Sequence, residues 1–387
     1  MSSFILSKDV LLKDSAIYIH IPFCDHKCIY CDFYSIITSD NVEAFQKSLK
    51  KEIEYFSKLY SEDRIFTSIF FGGGTPSLME PFYLEEIICH LKKFSNVDDK
   101  AEITMETNPG TVDKLKLKRF KEAGINRISI GIQSFDKEEL EFLTRIHDKQ
   151  TAIQTVYNAA EVGFENISVD LIFNLPNQTK EKWIENLETA IQLPIKHIST
   201  YSLILERGTI LNKLVLDKKV TMQDDDYDAD LYETTIDFLT SKGFYQYEVS
   251  NFTKPGFECV HNNAYWRYRD YLSFGTSSHS FVDGKRWWNY SSLKKYISAI
   301  ELNNHAIMNS EIISKEQKHD EYVMLALRSS GLDLNEYKTF FSEEWINKSY
   351  PYLKMLQKEN LIELNPSNIK LTSKGYAVCD EILKNIL

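Results

Sequence analysis

Apolar and polar positions along this chain alternate between two periods. Residues 16–21 read Ala-Ile-Tyr-Ile-His-Ile, an alternation that predicts a strand. Val42, Phe45, Leu49, Ile53 and Phe56 then recur at helical spacing over 42–59. The two patterns repeat down the chain. Strands are predicted over 64–71, 102–106, 127–131, 166–173 and 196–203. Helices are predicted over 81–94, 112–123 and 181–191, with two more between the fourth and fifth strands and Arg145 near the end of the first of these. Asn108-Pro109-Gly110 stops the third strand, and Gly124 stands where a helix C-cap is expected. Six strand–helix units imply a parallel sheet with helical crossovers. Six are too few to close an eight-stranded barrel, so the expected fold class is α/β with an open, partial (β/α)6 barrel.

After residue 203 the pattern changes. Residues 206–219 read as a loop with a short helix, and Asp224-Asp225-Asp226 opens a helix that runs to Ser241 and stops at Gly243. A strand is predicted over 244–250 and a helix over 293–300. Beyond 311 come helices over 315–327, 350–359 and 375–387, and a hairpin of 361–364 with 369–371 around Asn365-Pro366-Ser367. Helices followed by such a hairpin resemble a winged helix. No dense basic recognition helix accompanies it, so a structural or substrate-covering role is expected. The division expected is a partial barrel over 1–205, a smaller α+β extension over 206–310 and a C-terminal helical unit over 311–387.

Composition narrows the class. The 387 residues carry a net charge of −11, with 43% hydrophobic and 26% charged residues, as in soluble globular chains. No apolar run reaches the length of a membrane span, and residues 1–9 lack the basic start and long apolar core of a secretory signal. The acidic balance argues against nucleic acid as a partner and against broad attraction to an anionic membrane. Six cysteines are few for this length. Cys89, Cys259 and Cys379 are scattered and read as buried or idle thiols, which suits a reducing cytoplasm.

The other three, Cys24, Cys28 and Cys31, share one short loop after the first strand. Soft thiolates in such a loop suit an iron–sulfur cluster, whose fourth iron would stay open. A zinc site with His20 or His26 as fourth ligand is the alternative. Zinc knuckles usually pair their cysteines in two separated halves, which this loop does not. Gly72-Gly73-Gly74-Thr75-Pro76 follows the second strand and lets backbone approach a ligand, or forms a plain tight turn. Glu106 closes the third strand, Gln133 follows the fourth and Asp170 lies in the fifth, so all these features fall at the strand ends where barrel-like folds place their sites. A second informative stretch is His261-Asn262-Asn263-Ala264-Tyr265-Trp266. His261 is a candidate ligand for a metal or heme iron, and Tyr265 and Trp266 for stacking on a flat macrocycle. On chemistry alone a buried, hydrogen-bonded histidine among core aromatics is the commoner outcome. His279 is a second candidate, Tyr268, Tyr271, Trp287 and Trp288 make the region aromatic, and Arg267 and Arg269 are candidate partners for propionates.

The spacing C-x3-C-x2-C, with Tyr30 just before the third cysteine, resembles the radical S-adenosylmethionine (SAM) superfamily. Tyr18-x-His20-Ile21-Pro22-Phe23 is similar to the group around the oxygen-independent coproporphyrinogen oxidases, the HemN type. The resemblance covers nearly the whole chain. It implies a partial barrel, a [4Fe–4S] cluster on Cys24, Cys28 and Cys31, and SAM on the open iron. It also implies SAM contacts at Tyr18, Gly73, Gly74, Thr75, Glu106, Gln133, Arg145 and Asp170, with Tyr30 at the aromatic position. The oxidases carry a further cysteine in C-x3-C-x2-C-x-C, where this chain has Asp32-Phe33. His-Asn-x-x-Tyr-Trp over 261–266 instead matches the sister group of heme chaperones, the HemW type, where it is implicated in heme handling. The expectation is a cytoplasmic heme chaperone that passes heme to a membrane-bound respiratory acceptor, associates with the membrane through that acceptor, and takes electrons from a reductant such as a flavodoxin. The alternative is the oxidase itself, which decarboxylates coproporphyrinogen III propionates to give protoporphyrinogen IX. A zinc-stabilised binding module is the third reading.

Overall fold

The six expected strands run parallel, in chain order, in the computed structural model, which describes residues 12–38 and 40–387. The 1–9 stretch read for a signal lies outside the described residues. The barrel consists of β1 (Lys13–Ile21), α1 (Val42–Tyr60), β2 (Arg64–Gly73), α2 (Pro81–Phe94), β3 (Val97–Thr107) and α3 (Lys114–Glu122). It continues through β4 (Arg127–Gln133), α4 (Lys137–Phe142), α5 (Lys149–Glu161), β5 (Asn166–Phe173), α6 (Lys180–Ile191) and β6 (His197–Ser202). Side chains at the ends of these elements explain their bounds. Asp113, Asp136, Asp148 and Thr179 each accept a backbone N–H in the first turn of α3, α4, α5 and α6, so these helices begin just after a capping residue. The predicted apolar face of α1 is buried at Phe45, Leu49, Ile53 and Phe56. Truncating one such phenylalanine to alanine costs about 3–5 kcal/mol.

The sheet does not stop at β6. Next come α7 (Ile210–Leu216), α8 (Asp225–Ser241), β7 (Tyr245–Glu248), β8 (Asn251–Thr253), α9 (Val260–Trp266), β9 (Tyr271–Gly275), β10 (His279–Val282), β11 (Lys285–Asn289), α10 (Leu293–Asn303) and β12 (Ile307–Ile312). The strand expected over 244–250 is β7, shorter than expected, and β8 beyond it turns back antiparallel to it. The four strands from β9 onward lack clear alternation and were not expected. They extend one twelve-stranded sheet in the order β12-β11-β10-β9-β1-β2-β3-β4-β5-β6-β8-β7. β9 pairs in parallel with β1, Ala16 opposite Tyr271 and His20 opposite Gly275. Sheet and core therefore run across residue 205, with Leu231, Phe252, Phe274 and Trp287 in the same buried cluster as Ile17 and Phe71. This return of the chain brings α9 onto the barrel strands.

The C-terminal part has its own core, around Val323, Leu327, Tyr337, Leu353 and Ile382. It contains α11 (Lys315–Leu327), β13 (Leu332–Asp333), α12 (Leu334–Phe340), α13 (Glu344–Lys358), β14 (Ile362–Leu364), β15 (Asn368–Leu371), α14 (Ser373–Ala377) and α15 (Cys379–Ile386). The expected hairpin is present as β14 and β15, in a three-stranded sheet with β13. Glu321 ties this part to the sheet by accepting from Tyr268 Oη and Arg286 Nη2, both at 2.8 Å. Among the described residues no helix is long and apolar enough to cross a membrane.

Candidate functional site

The cysteine loop leaves β1 and is pinned by two backbone bonds, Cys24 N to Ile36 O at 3.0 Å and Ile36 N to Pro22 O at 2.8 Å. Cys24, Cys28 and Cys31 are half-buried free thiols. A chain of polar contacts joins two of them. Cys24 Sγ lies 3.3 Å from Thr75 Oγ1, and Asn108 Nδ2 donates to Thr75 Oγ1 at 3.1 Å. Arg145 Nη2 donates to Asn108 Oδ1 at 2.7 Å, and Arg145 Nη1 lies 3.5 Å from Cys28 Sγ. The ends of β2 and β3 and the segment after α4 are thus tied to the loop by side chains. Arg145 also donates to Gly131 O at 2.6 Å, while its Nε is buried without a partner. Gln133, at a φ of +71° as β4 ends, belongs to this side, since its Nε2 lies over Gly131 beside Asn108 and Arg145. Burial pushes the thiols of Cys24 and Cys31 up from their ordinary value. Burial also raises the Tyr30 hydroxyl, against the pull of Arg145.

His20 is not free to serve as a fourth zinc ligand. His20 is buried, its Nδ1 pairs with Tyr18 Oη at 3.2 Å and its Nε2 with Tyr34 O at 2.9 Å. Burial lowers its pKa to about 4. His26 is exposed. Among the described residues, no three His, Cys, Asp or Glu side chains converge on a single-ion site.

The glycine run packs closely against the end of β1, as a tight turn does. A Cβ on Gly73, whose φ is +107°, would lie 2.5 Å from the His20 ring, and one on Gly74 would lie 2.6 Å from Phe23 O. Gly74 N bonds Ile21 O at 2.7 Å and Thr75 N bonds Phe23 O at 2.8 Å. The close approach read as room for a ligand is therefore already made by the end of β1 against the run. A valine at position 73 would disturb the fold as well as any ligand contact.

Deeper in the barrel is a cavity of about 280 Å³. Tyr18, Gly73, Glu106 and Asp170 line it from the strands, and His261, Asn262 and Tyr265 line it from α9. A larger groove of about 550 Å³ passes Phe23, Cys24 and Met79, but Cys24 is the one predicted site residue on it. The smaller cavity is the one that joins the two informative stretches of sequence. Glu106 Oε2 accepts from Gly73 N at 3.2 Å, and burial, reinforced by Asp170, pushes the Glu106 carboxyl up to about 8. Asp170 is also raised by burial, and accepts from Ser129 Oγ at 3.1 and 3.2 Å.

The motif helix α9 is held by a residue that the sequence pattern did not single out. Glu102, on β3, accepts with Oε1 from Val260 N at 2.9 Å and His261 N at 3.3 Å, satisfying donors at the helix start. His261 is itself buried and fully bonded, Nδ1 to Ser68 Oγ at 3.0 Å and Nε2 to Tyr265 Oη at 2.9 Å. Its ring stacks on Phe70 at 5.0 Å, and burial, with Arg127 nearby, lowers its pKa to about 3. A free nitrogen for axial ligation, one of the two expectations for His261, is not offered in this arrangement. Trp266 is half-buried and is not on the cavity wall. Arg269 pairs with Asp14, Arg267 is exposed, and His279 is exposed and stacks on Trp288 at 5.7 Å.

The sequence pattern of the Radical SAM superfamily matches residues 18–190. The heme chaperone HemW of Bacillus subtilis is 33% identical over 94% of this chain and 97% of its own length. That of Lactococcus lactis is 31% identical over 98% of both chains. Among solved structures, the coproporphyrinogen III oxidase HemN of Escherichia coli superposes with a TM-score of 0.82 over 97% of this chain and 90% of its own, at 22% identity, which establishes a common fold. The strand-end loop of three thiols, the sheet that carries it and the length of these matches lead to one assignment: the chain belongs to the HemW heme chaperone family, within the radical SAM superfamily.

Proposed function

We propose that this chain binds heme as cargo and hands it to an acceptor protein, while keeping a radical SAM core. The observation that carries the reading is the shared cavity: α9, with the His-Asn-x-x-Tyr-Trp segment, closes over the same space as Tyr18, Gly73, Glu106 and Asp170. Membership of the superfamily implies a [4Fe–4S] cluster and SAM, and the residues present fit both. Three thiols stand in one loop, His20 beside it is bonded through both ring nitrogens, and Arg145, with a buried unpartnered Nε, stands next to them. In this reading Cys24, Cys28 and Cys31 hold the cluster, and Thr75, Gln133 and Arg145 meet SAM on the cysteine side. Tyr18, Gly73, Glu106 and Asp170 meet it on the cavity side, with Gly74 between the two and Tyr30 at the aromatic position. When bound, the cluster and SAM supply one-electron chemistry at an open iron. The protein's part is to hold these groups and to keep water from them.

A cavity of about 280 Å³ falls at or below the roughly 300–1,000 Å³ of sites that enclose a drug-sized ligand. It suits one edge of a macrocycle, with Tyr265 beside it and Trp266 further out on α9. His261 then acts by fixing Tyr265 through their 2.9 Å bond, and would reach iron only after releasing that hydroxyl. Residues 1–205 carry cluster and SAM, 206–310 the heme segment, and 311–387 a cover. The acceptor in this reading is a membrane-bound respiratory protein, and the reductant is of flavodoxin type. The test is a Soret-monitored heme titration of anaerobically reconstituted protein beside an anaerobic decarboxylation assay. We expect stoichiometric heme binding, weakened in Tyr265→Phe, and no protoporphyrinogen. Turnover of coproporphyrinogen with SAM cleavage would overturn the proposal in favour of the oxidase.

A further inference from the structure

Arg127 opens β4 and is 2% exposed, yet among the described residues its side chain donates no hydrogen bond. Its Nε and Nη1 are buried without partners. The nearest carboxylate oxygen, Glu102 Oε2, is 3.8 Å from Nε, too far for a hydrogen bond. Glu102 and Asp170 face it, as do Cys259 and Tyr247, but the carboxylates have donors of their own. Glu102 accepts from the start of α9, and Asp170 from Ser129. A guanidinium carries five N–H donors and does not shed its charge on burial. Burying it with its donors unmet is costly, and native structures seldom leave such a group without a reason. Arg127 also forms part of the cavity wall, between Asp170 and the motif helix.

We propose that Arg127 is the anion-binding residue of this cavity and takes a carboxylate of the ligand that occupies it. The planar fork matches a carboxylate in bidentate fashion, and its Nε and Nη1 have no acceptor among the described residues. Two ligands could supply the carboxylate: the propionate edge of heme, which rests on the chaperone reading, and the methionine carboxylate of SAM, which rests on superfamily membership alone. The shape of the cavity, with α9 as one wall, suits either.

The experiment uses reconstituted full-length protein and four probes: heme, heme dimethyl ester, SAM and decarboxylated SAM. Binding is followed by Soret absorbance for the first pair and by calorimetry for the second. Wild type should bind the carboxylate-bearing member of one pair at least tenfold more tightly. Arg127→Lys, which keeps the charge and loses the fork, should reduce that preference, and Arg127→Met should abolish it. The pair that responds identifies the source. Cluster content and thermal unfolding report whether each variant is folded; if Arg127→Met is not, the wild-type and Arg127→Lys preferences decide. Equal affinity within both pairs in wild type, or an undiminished preference in folded variants, overturns the proposal. Wild type that binds neither heme nor its ester refutes the chaperone reading instead, and the SAM pair then tests Arg127 alone.

Discussion

Glu52 and Arg127 are both deeply buried ionisable groups, and their surroundings are opposite. Glu52, on α1, has all it needs: Oε2 accepts from Gly275 N at 2.9 Å and Tyr296 Oη at 2.7 Å, and Oε1 from Asn289 Nδ2 at 2.5 Å. It fastens the first helix to the return of the chain that lays β9 beside β1. Arg127 has no hydrogen-bond acceptor among the described residues and borders a cavity. The difference teaches how to separate a strut from a site. A buried ionisable group whose partners are all supplied by the fold is holding the fold, whereas one with unmet donors on a cavity wall has room for an acceptor that the fold does not supply, water or ligand.

The largest effect that would test this contrast is on stability. Glu52→Ala leaves Gly275 N and Tyr296 Oη without an acceptor, while Asn289 Nδ2 keeps Gly275 O and Ser278 Oγ, and should cost about 2–5 kcal/mol in urea unfolding. Arg127→Lys, measured without ligand, should cost less than half as much, since it gives up no hydrogen bond. Equal losses would break the comparison. A second, smaller effect concerns the link between the barrel and the motif. Glu102→Gln weakens the charged acceptor at the start of α9 and should lower stability by about 1–3 kcal/mol. It should also weaken heme binding while leaving the iron content of the cluster unchanged; lost iron would place its role elsewhere.

Titration of Glu52 sharpens the same point. Burial outweighs its three donors and raises its folded pKa from 4.5 to about 7. The protonated form is thus the one favoured on folding, and its contribution is complete below about 4.5 and lost as pH rises through about 7. Urea midpoints of wild type, relative to non-titrating Glu52→Gln, should therefore fall between these two values. A parallel pair of curves would contradict the assignment. The smallest effect expected is at Asn108. Asn108→Ala breaks the contacts between Thr75 and Arg145 and should weaken SAM binding by about five- to tenfold, equivalent to about 1 kcal/mol. Calorimetry on the reconstituted variant measures it, and unchanged affinity would remove Asn108 from the site.

The parts of the fold built from regular patterns were readable beforehand. The alternation in β1 and the apolar face of α1 follow from residue spacing, whereas β4 is buried on both faces, as a parallel strand covered by helices is, and reads as an apolar run. The strands β9 to β12 escaped, since Tyr271-Leu-Ser-Phe-Gly275 is short and mixed in character, and its pairing with β1 is a contact between distant parts of the chain. The cysteine loop and Thr75 lie together, as their strand-end positions suggested, and Arg145 reaches them from the segment after α4. Asn108, Glu102 and Arg127 did not stand out. A strand-terminating Asn, an ordinary Glu and an ordinary Arg carry no local signal, and their importance comes from what the fold sets opposite them. The glycine run was legible as a tight approach, but its partner proved to be the end of β1. His261 shows the same limit: the motif marked the right helix, while the bonds to Ser68 and Tyr265 that define its state required the structure.

Under the proposed function, heme at His261–Trp266 and SAM at Tyr18, Gly73, Glu106 and Asp170 would share the cavity that these two groups of residues line. The most direct test of this sharing is the heme dissociation constant of the reconstituted protein with and without saturating SAM, with the reverse titration as a check. Ligands that meet at Tyr18, Glu106 and Tyr265 must feel each other, so SAM should shift heme affinity by at least about fivefold, and heme should shift SAM affinity by the same factor. Affinities that are identical whether or not the other ligand is present would contradict the account and place heme on a different surface.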